Sequence, residues 1–150
     1  MDGRVTMIHI GFTGTRKGMT GEQKMTLCKL LGGIQKPAWF HHGLCVGSDE
    51  EAHCLAWDMD FQIEGHPPAD QKLMAKWLTG FAKLNPALPY MARNRAIVTA
   101  SNKMIATPAE WGNPGRGGTW ATIAMGIKEG RRVAIILPDG SVNIHHMRKT

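Results

Sequence analysis

The sequence predicts one α/β domain in which a mostly parallel sheet is covered by helices on both faces. Strand-like and helix-like segments alternate along the chain, which is the pattern that produces parallel sheets. The 150 residues suffice for one domain with its own core, and they contain no internal repeat or low-complexity linker. We therefore predict a single domain over residues 1–150, in which residues 140–150 form a tail.

The first half of the chain predicts three strands and two helices. Strands are expected over residues 5–12, 39–45 and 61–65. Each segment is rich in β-branched or aromatic side chains and is bounded by a turn that contains glycine or proline. Thr20-Gly21-Glu22-Gln23 matches a capping box and is followed by a wide apolar face, which predicts the first helix. Ser48 and Glu51 predict a second capping box, before a helix whose buried side comprises Ala52, Leu55, Ala56 and Trp57.

The second half predicts two further strands and up to three helices. Residues 70–87 show the weakest pattern, with a helix expected over 73–84. The composition then predicts a helix over 90–100, a buried strand over 103–106, a helix over 119–129 ended by Gly130, and an apolar strand over 133–137.

Composition and charge narrow the classes of partner. The net charge of +6 and the pI near 9.5 favour an anionic partner, but the cations are scattered rather than clustered as in a nucleic-acid-binding tail. No stretch is apolar enough to span a membrane, and the N-terminus lacks the features of a signal peptide. Three cysteines without CxxC spacing argue against a disulfide framework. We expect a cytoplasmic protein without a membrane partner.

The turns that follow the predicted strands are rich in small residues. In a parallel sheet these turns meet at one edge, where helix N-termini carry partial positive charge and glycine lets a phosphate approach the backbone. Each glycine taken alone is equally compatible with a tight βα turn. Together the turns predict a phosphate-binding site, whose members before the last turn are Gly11, Thr13, Gly14, Thr15, Arg16, Gly47, Ser48, Asp49 and His66.

Neither a dinucleotide fingerprint nor a P-loop is present, which disfavours a conventional nicotinamide or ATP site, and no cofactor is predicted. A metal site is also not predicted. His41 and His42 are adjacent in a strand and point to opposite faces, and Cys45, His53 and Cys54 complete no accepted zinc spacing.

Five segments together carry a resemblance to a known family. In order, IGFTGTRKGMT, GLCVGSDEEAHCLA, EGHPP, YMARNRAIVTASNKMIATP and RGGTWATIAMGIKEGRRVAIILPDG resemble the SLOG superfamily. That superfamily includes DNA-processing protein A and the "lonely guy" phosphoribohydrolases, which were formerly taken for lysine decarboxylases. The resemblance spans residues 8–140 and implies a Rossmann-like three-layer fold, nucleotide binding and pairing into a homodimer.

The resemblance also implies roles for residues of the last turn and of the helix over 90–100. Gly117, Gly118 and Thr119 would hold a phosphate, and Arg93 or Arg95 would approach it. Trp120 would either stack on a nucleobase or pack in the core. The phosphoribohydrolases carry a glutamate where this chain has Thr122, so a hydrolase would need an acid from elsewhere, for which Glu110 and Asp49 are the nearest candidates.

Three functions remain open at this point. Binding of a nucleotide or nucleotide-derived ligand, which the protein would sense or sequester, is preferred because the family glutamate is missing. The first alternative is a nucleoside monophosphate N-glycosidase in which Glu110 is catalytic. The second is DNA binding in the manner of DNA-processing protein A, which the scattered cations disfavour.

Overall fold

Residues 7–146 are described by a computed structural model, and they form seven strands and four helices. The strands are β1 Ile8–Gly14, β2 Ala38–His42, β3 Gln62–Gly65, β4 Lys83–Leu84, β5 Lys103–Thr107, β6 Arg132–Ile136 and β7 Val142–His145. The helices are α1 Gly21–Gly32, α2 Ser48–Asp58, α3 Tyr90–Ala100 and α4 Gly118–Lys128. The strands make one sheet in the order β4-β3-β2-β1-β5-β6-β7, parallel except where β7 pairs with β6.

Helices cover both faces of the sheet because successive strand residues point to opposite sides. Phe12 and Phe40 pack with residues of α1 and α2 in one buried cluster. Met104 and Val133 pack with residues of α3 and α4 in a second cluster. The predicted Rossmann-like three-layer fold with a mostly parallel sheet is therefore confirmed.

The capping box of α1 is confirmed and also joins distant strands. Gln23 N donates to Thr20 Oγ1 at 3.0 Å, and Thr20 N donates to Gln23 Oε1 at 2.9 Å. The buried Gln23 amide nitrogen further donates to Pro108 O at 2.8 Å and to Ile136 O at 2.9 Å. The side chain of Gln23, in the first turn of α1, thus holds the ends of β5 and β6 beside this helix.

The start and the buried face of α2 differ from the prediction. The N-cap is Gly47, whose amide donates to Glu50 Oε1 at 3.0 Å, so neither Ser48 nor Glu51 completes a capping box. Ser48 instead turns inward and donates to Thr15 O at 2.6 Å. The side chain of Trp57 is 55% exposed, because it lies one residue beyond buried Ala56 and is rotated away from the sheet.

The helix expected over residues 73–84 is wrong. The backbone of this segment bonds to the sheet region rather than to itself: Ala75 N donates to Leu44 O at 2.7 Å and Ala82 N to Ile63 O at 2.8 Å. These long-range bonds extend the sheet by the two-residue strand β4. Sequence periodicity cannot reveal them.

The predicted tail over residues 140–150 is wrong where β7 forms. A turn with Gly140 at φ +86° reverses the chain, so that Val142–His145 pairs with β6 and Val142 packs on the core. Residues 147–150 lie outside the described residues, as do the first two of the strand expected over 5–12. Within residues 7–146, no helix has the length and apolar character needed to cross a membrane.

Candidate ligand-binding cleft

A cleft of about 730 Å³ opens at the carboxyl ends of β1, β2 and β5. It lies where ligands bind in open α/β sheets, outside the carboxyl ends of the strands. The predicted site residues that line it are Thr13, Gly14, Thr15, Arg16, Asp49, Arg93, Glu110, Gly117, Gly118, Thr119 and Trp120.

One side of the cleft is the loop 43–49, which we call the braced loop because its polar groups are satisfied within the protein. Asp49 Oδ2 accepts from the amides of Gly43 and Cys45, each at 3.1 Å. Burial raises the pKa of Asp49 to about 6, although these hydrogen bonds and the Arg93 charge act against the rise. Through these two hydrogen bonds the Asp49 side chain fixes the backbone of the loop at Gly43 and Cys45.

Arg93 is the second side chain that holds the braced loop in place. Its side chain is buried, and its Nη1 donates to the carbonyls of Gly43 and of His66, the latter at 3.2 Å. Nε donates to Asn94 Oδ1 at 2.8 Å, and Nη2 lies 3.6 Å from Cys45 Sγ. Most of the guanidinium donors are thus engaged by the protein, which leaves Arg93 a smaller part in ligand binding than the sequence suggests.

The other side of the cleft is the loop 110–118, which we call the open loop. A Cβ added at Gly112, Gly115, Gly117 or Gly118 would meet no atom within 4 Å. Gly117 is the N-cap of α4 and has φ +99°, and no side chain caps this helix. The first turn of α4 consequently presents amides that no capping side chain satisfies, beside open space.

Trp120 and Glu110 join the open loop to the sheet. The Trp120 indole is buried in the α3–α4 cluster, and its Nε1 donates to Glu110 Oε1 at 3.0 Å. Thr122 is also buried, and its hydroxyl donates to Gly118 O at 2.8 Å within α4. Trp120 therefore combines a core role with a place in the cleft wall.

Cations outnumber acids around the cleft. The basic lining residues are Arg16, Lys17, Lys72, Arg93 and Arg116, and the acidic ones are Asp49, Asp70 and Glu110. Arg16, Lys17, Lys72 and Arg116 are exposed. Their net effect is to favour an anion in the cleft.

Some predicted site residues do not line the cleft. Gly11 lies inside β1, where a Cβ would approach Ser101 Oγ to 2.3 Å, so this glycine serves packing against the end of α3. Gly47 and Ser48 form the start of α2, where Gly47 is the N-cap and Ser48 donates to the Thr15 carbonyl. His66 and Arg95 line a separate side cavity of about 490 Å³ beside α3.

Other residues of the cleft were missed by the sequence analysis. Lys72 and Tyr90 reach it because the segment before α3 folds back over the sheet edge. Arg116 lies between Gly115 and Gly117, in the glycine-rich segment that the sequence analysis assigned to phosphate binding. That position was the feature of the sequence that could have indicated its place in the cleft.

A cross-strand cluster beneath α3 was also missed. His41 and Glu64 are direct partners in the parallel pairing of β2 with β3, and His66 follows β3. One ligand atom from each of these three residues lies within 4.8 Å of the others. Strand pairing brings them together, and no spacing along the chain encodes it.

Comparison with known proteins identifies the fold. No family model matches the chain, and no curated protein is detectably similar in sequence. The molybdenum cofactor binding protein from the phototrophic bacterium Rippkaea orientalis superposes with a TM-score of 0.67 at 19% identity, over 89% of this chain and 78% of that one. Two structures of the molybdenum cofactor carrier protein from Chlamydomonas reinhardtii each give a TM-score of 0.61, at 20% and 18% identity, covering 89% and 87% of this chain and 77% and 76% of theirs. The chain is thus a Rossmann-like α/β protein, and these carrier proteins share its fold.

Proposed function

We propose that the cleft binds a small anionic ligand that combines a phosphate with a flat heterocycle, such as a nucleotide or a nucleotide-derived molecule. The observation that carries this proposal is the open loop: bare backbone and the uncapped N-terminus of α4 line the same cleft as the exposed cations Arg16 and Arg116. A phosphate oxygen can approach such a backbone without displacing a side chain, and guanidinium groups bind phosphate bidentately.

The fold neighbours add support to this ligand class. They bind the molybdenum cofactor, which is a phosphorylated pterin and so unites the same two chemical features. A molybdenum cofactor or its pterin precursor is therefore a ligand of this cleft that we would test beside nucleotides. The motif resemblance leads us to propose further that the chain is a divergent member of the SLOG superfamily.

We propose that the ligand is held rather than turned over. A carboxyl group that acts as general acid must come within hydrogen-bond reach of the scissile bond. Asp49 is buried and accepts two loop amides, and Glu110 accepts the Trp120 indole. The position of the family glutamate is occupied by Thr122, which bonds within its own helix. These contacts favour storage or sensing.

The proposal is tested by thermal shift and calorimetry with nucleoside monophosphates, cyclic dinucleotides, a pterin phosphate and inorganic phosphate. A ligand at one hundred times its Kd should stabilise the protein by about 2.7 kcal/mol. Arg116→Ala should weaken binding about tenfold, which corresponds to about 1.4 kcal/mol. Arg95→Ala is the matched control because Arg95 lines only the side cavity.

Three results would count against this function. Absence of binding by every phosphorylated heterocycle would reject the ligand class, and equal losses in Arg95→Ala and Arg116→Ala would reject the site. Release of free base from a nucleoside monophosphate would replace storage by the N-glycosidase function.

A further inference from the structure

The sheet face beneath α3 carries a buried polar cluster where the neighbouring parts of the core are apolar. Its histidines are His9 of β1, His41 of β2 and His66, and its other members are Glu64 of β3 and Asn85. His41 and His66 are only 1% and 4% exposed. None of these residues lines the cleft, and the function proposed above assigns the cluster no role.

Three ligand atoms of this cluster form a compact triangle. His41 Nδ1 lies 3.0 Å from His66 Nε2, and Glu64 Oε2 lies 3.8 Å from the first atom and 3.6 Å from the second. A point in the plane of this triangle lies about 2.0 Å from all three atoms, which is the length of zinc bonds to imidazole nitrogen and carboxylate oxygen. An ion at this point would replace the proton that His41 Nδ1 and His66 Nε2 share in their hydrogen bond.

The triangle consists of one carboxylate and two imidazoles, which are ligand types that zinc accepts. Among the described residues, the only groups within salt-bridge distance of the Glu64 carboxylate are the imidazoles of His41 and His66. Lys83 is the partner of Glu64 in the pairing of β3 with β4, and its charge also favours the ionised carboxylate.

The surroundings provide outer contacts that metal ligands commonly have. His41 Nε2 lies 2.8 Å from His9 Nδ1, which fixes the ring of His41. The Asn85 amide donates to Glu64 Oε2 at 2.9 Å and to the Gly65 carbonyl at 3.1 Å, which uses both of its hydrogens. Asn85 Nδ2 also lies 3.3 Å from His66 Nδ1, and His66 offers Nε2 to an ion in the tautomer that carries its proton on Nδ1.

Solvent reaches the triangle from one side. Glu64 and His66 form part of the wall of the side cavity of about 490 Å³, which Arg95 also lines. A site with three protein ligands and an accessible fourth position is the arrangement that lets zinc bind water or an anion.

We propose that His41 Nδ1, Glu64 and His66 Nε2 bind one divalent transition-metal ion of the zinc type, with its fourth position open to the side cavity. Arg95 would attract an anionic fourth ligand to that position. Arg93 lines both the cleft and the side cavity, but none of the three proposed ligands lines the cleft, so failure of either proposal leaves the other standing.

The test is zinc binding by the full chain in a background in which His145 and His146, both exposed, are changed to Gln. After dialysis against EDTA, the protein is titrated with Zn²⁺ against a chromophoric chelator. We expect one equivalent to bind, and Glu64→Gln and His66→Gln each to weaken binding at least tenfold. His53→Gln is the matched control, because His53 is also buried and contacts His42 at 2.9 Å away from the cluster.

Substitution by Co²⁺ gives a second readout. A four-coordinate site should give intense visible absorption that Glu64→Gln abolishes and His53→Gln retains. Glu64→Gln keeps the shape of the side chain and its acceptor for Asn85, so a circular dichroism spectrum like that of the parent protein will separate metal loss from misfolding. Absence of saturable Zn²⁺ binding, or equal binding by the parent, Glu64→Gln and His66→Gln, would show that the cluster is only a hydrogen-bonded network.

Discussion

The braced loop and the open loop both place glycine before a helix at the same cleft, yet they differ in what surrounds the glycine. Gly47 packs against backbone, and a Cβ there would lie 2.2 Å from Arg16 O. Gly117 and Gly118 face open space. One sequence pattern thus serves two purposes: at Gly47 it allows close packing of the chain, and at Gly117 and Gly118 it leaves open space beside the backbone.

The largest effect expected from this difference is on folding stability at Gly47. Gly47→Ala combines a left-handed φ of +87° with a backbone clash, so it should cost about 3 kcal/mol or more in the free energy of unfolding. Urea denaturation measures the change. Gly112→Ala in the open loop is the control and should stay within about 0.5 kcal/mol. Similar costs for the two variants would mean that the loops do not differ in packing.

Removal of Arg93, which contacts the braced loop, should lower stability somewhat less than Gly47→Ala does. Removal of Arg116 from the open loop should leave stability almost unchanged. Arg93→Ala leaves the buried carbonyls of Gly43 and His66 without their donor and should cost roughly 2–3 kcal/mol of stability. Arg116→Ala removes an exposed side chain and should leave stability within about 0.5 kcal/mol. Thermal denaturation of both variants checks this contrast, and a stable Arg93→Ala protein would show that the carbonyls of Gly43 and His66 do not depend on Arg93.

Buried histidines of the sheet, His41 and His66 beneath α3 and His42 on the other face, should make the protein less stable in acid. The pKa of His41 and of His66 falls from 6.5 to about 4 on folding, so the unfolded chain binds protons between these values that the folded chain does not. Stability therefore falls as the pH is lowered through this range. Asp49, with its pKa raised from 3.8 to about 6, acts in the opposite direction, but two histidines outweigh one carboxyl. Burial also lowers the pKa of His42 and of His53, which adds to the loss in acid.

The net loss between pH 7 and pH 5 should be about 2 kcal/mol or more, seen as a drop of several degrees in Tm. His66→Gln removes one of the histidine contributions, so its Tm should fall less than that of the parent over the same range. An unchanged Tm of the parent protein between pH 7 and pH 5 would contradict the burial of these histidines.

A small effect on stability and a large effect on binding are expected at Gly118. Gly118→Val adds a side chain into open space and should change the free energy of unfolding by less than about 1 kcal/mol. Because that side chain fills the space proposed for phosphate, affinity for the ligand identified by the screen should fall at least tenfold. Calorimetry on the folded variant measures the loss, and unchanged affinity would move the phosphate away from the open loop.

Local patterns in the sequence predicted much of the fold but only part of the cleft. The box at Thr20 and the residues of α3 appeared as expected, because capping and helical composition act within a few residues. The role of Gly11 was not predictable, since its packing partner Ser101 is far away in sequence. Arg93 and Arg95 look equivalent in the motif Arg-Asn-Arg, but only Arg93 reaches the cleft, because residues two apart on a helix point in different directions.

By itself the sequence determined the alternation of strands and helices, the parallel sheet, and the gathering of glycine-rich turns at the carboxyl ends of its strands. Tertiary structure alone decided which turns stay open, where β4 and β7 extend the sheet, and which histidines meet Glu64. The physical reason is that hydrophobic period, capping and turn chemistry are local properties of the chain. Free space beside a glycine and pairing between strands depend on residues that are distant in sequence.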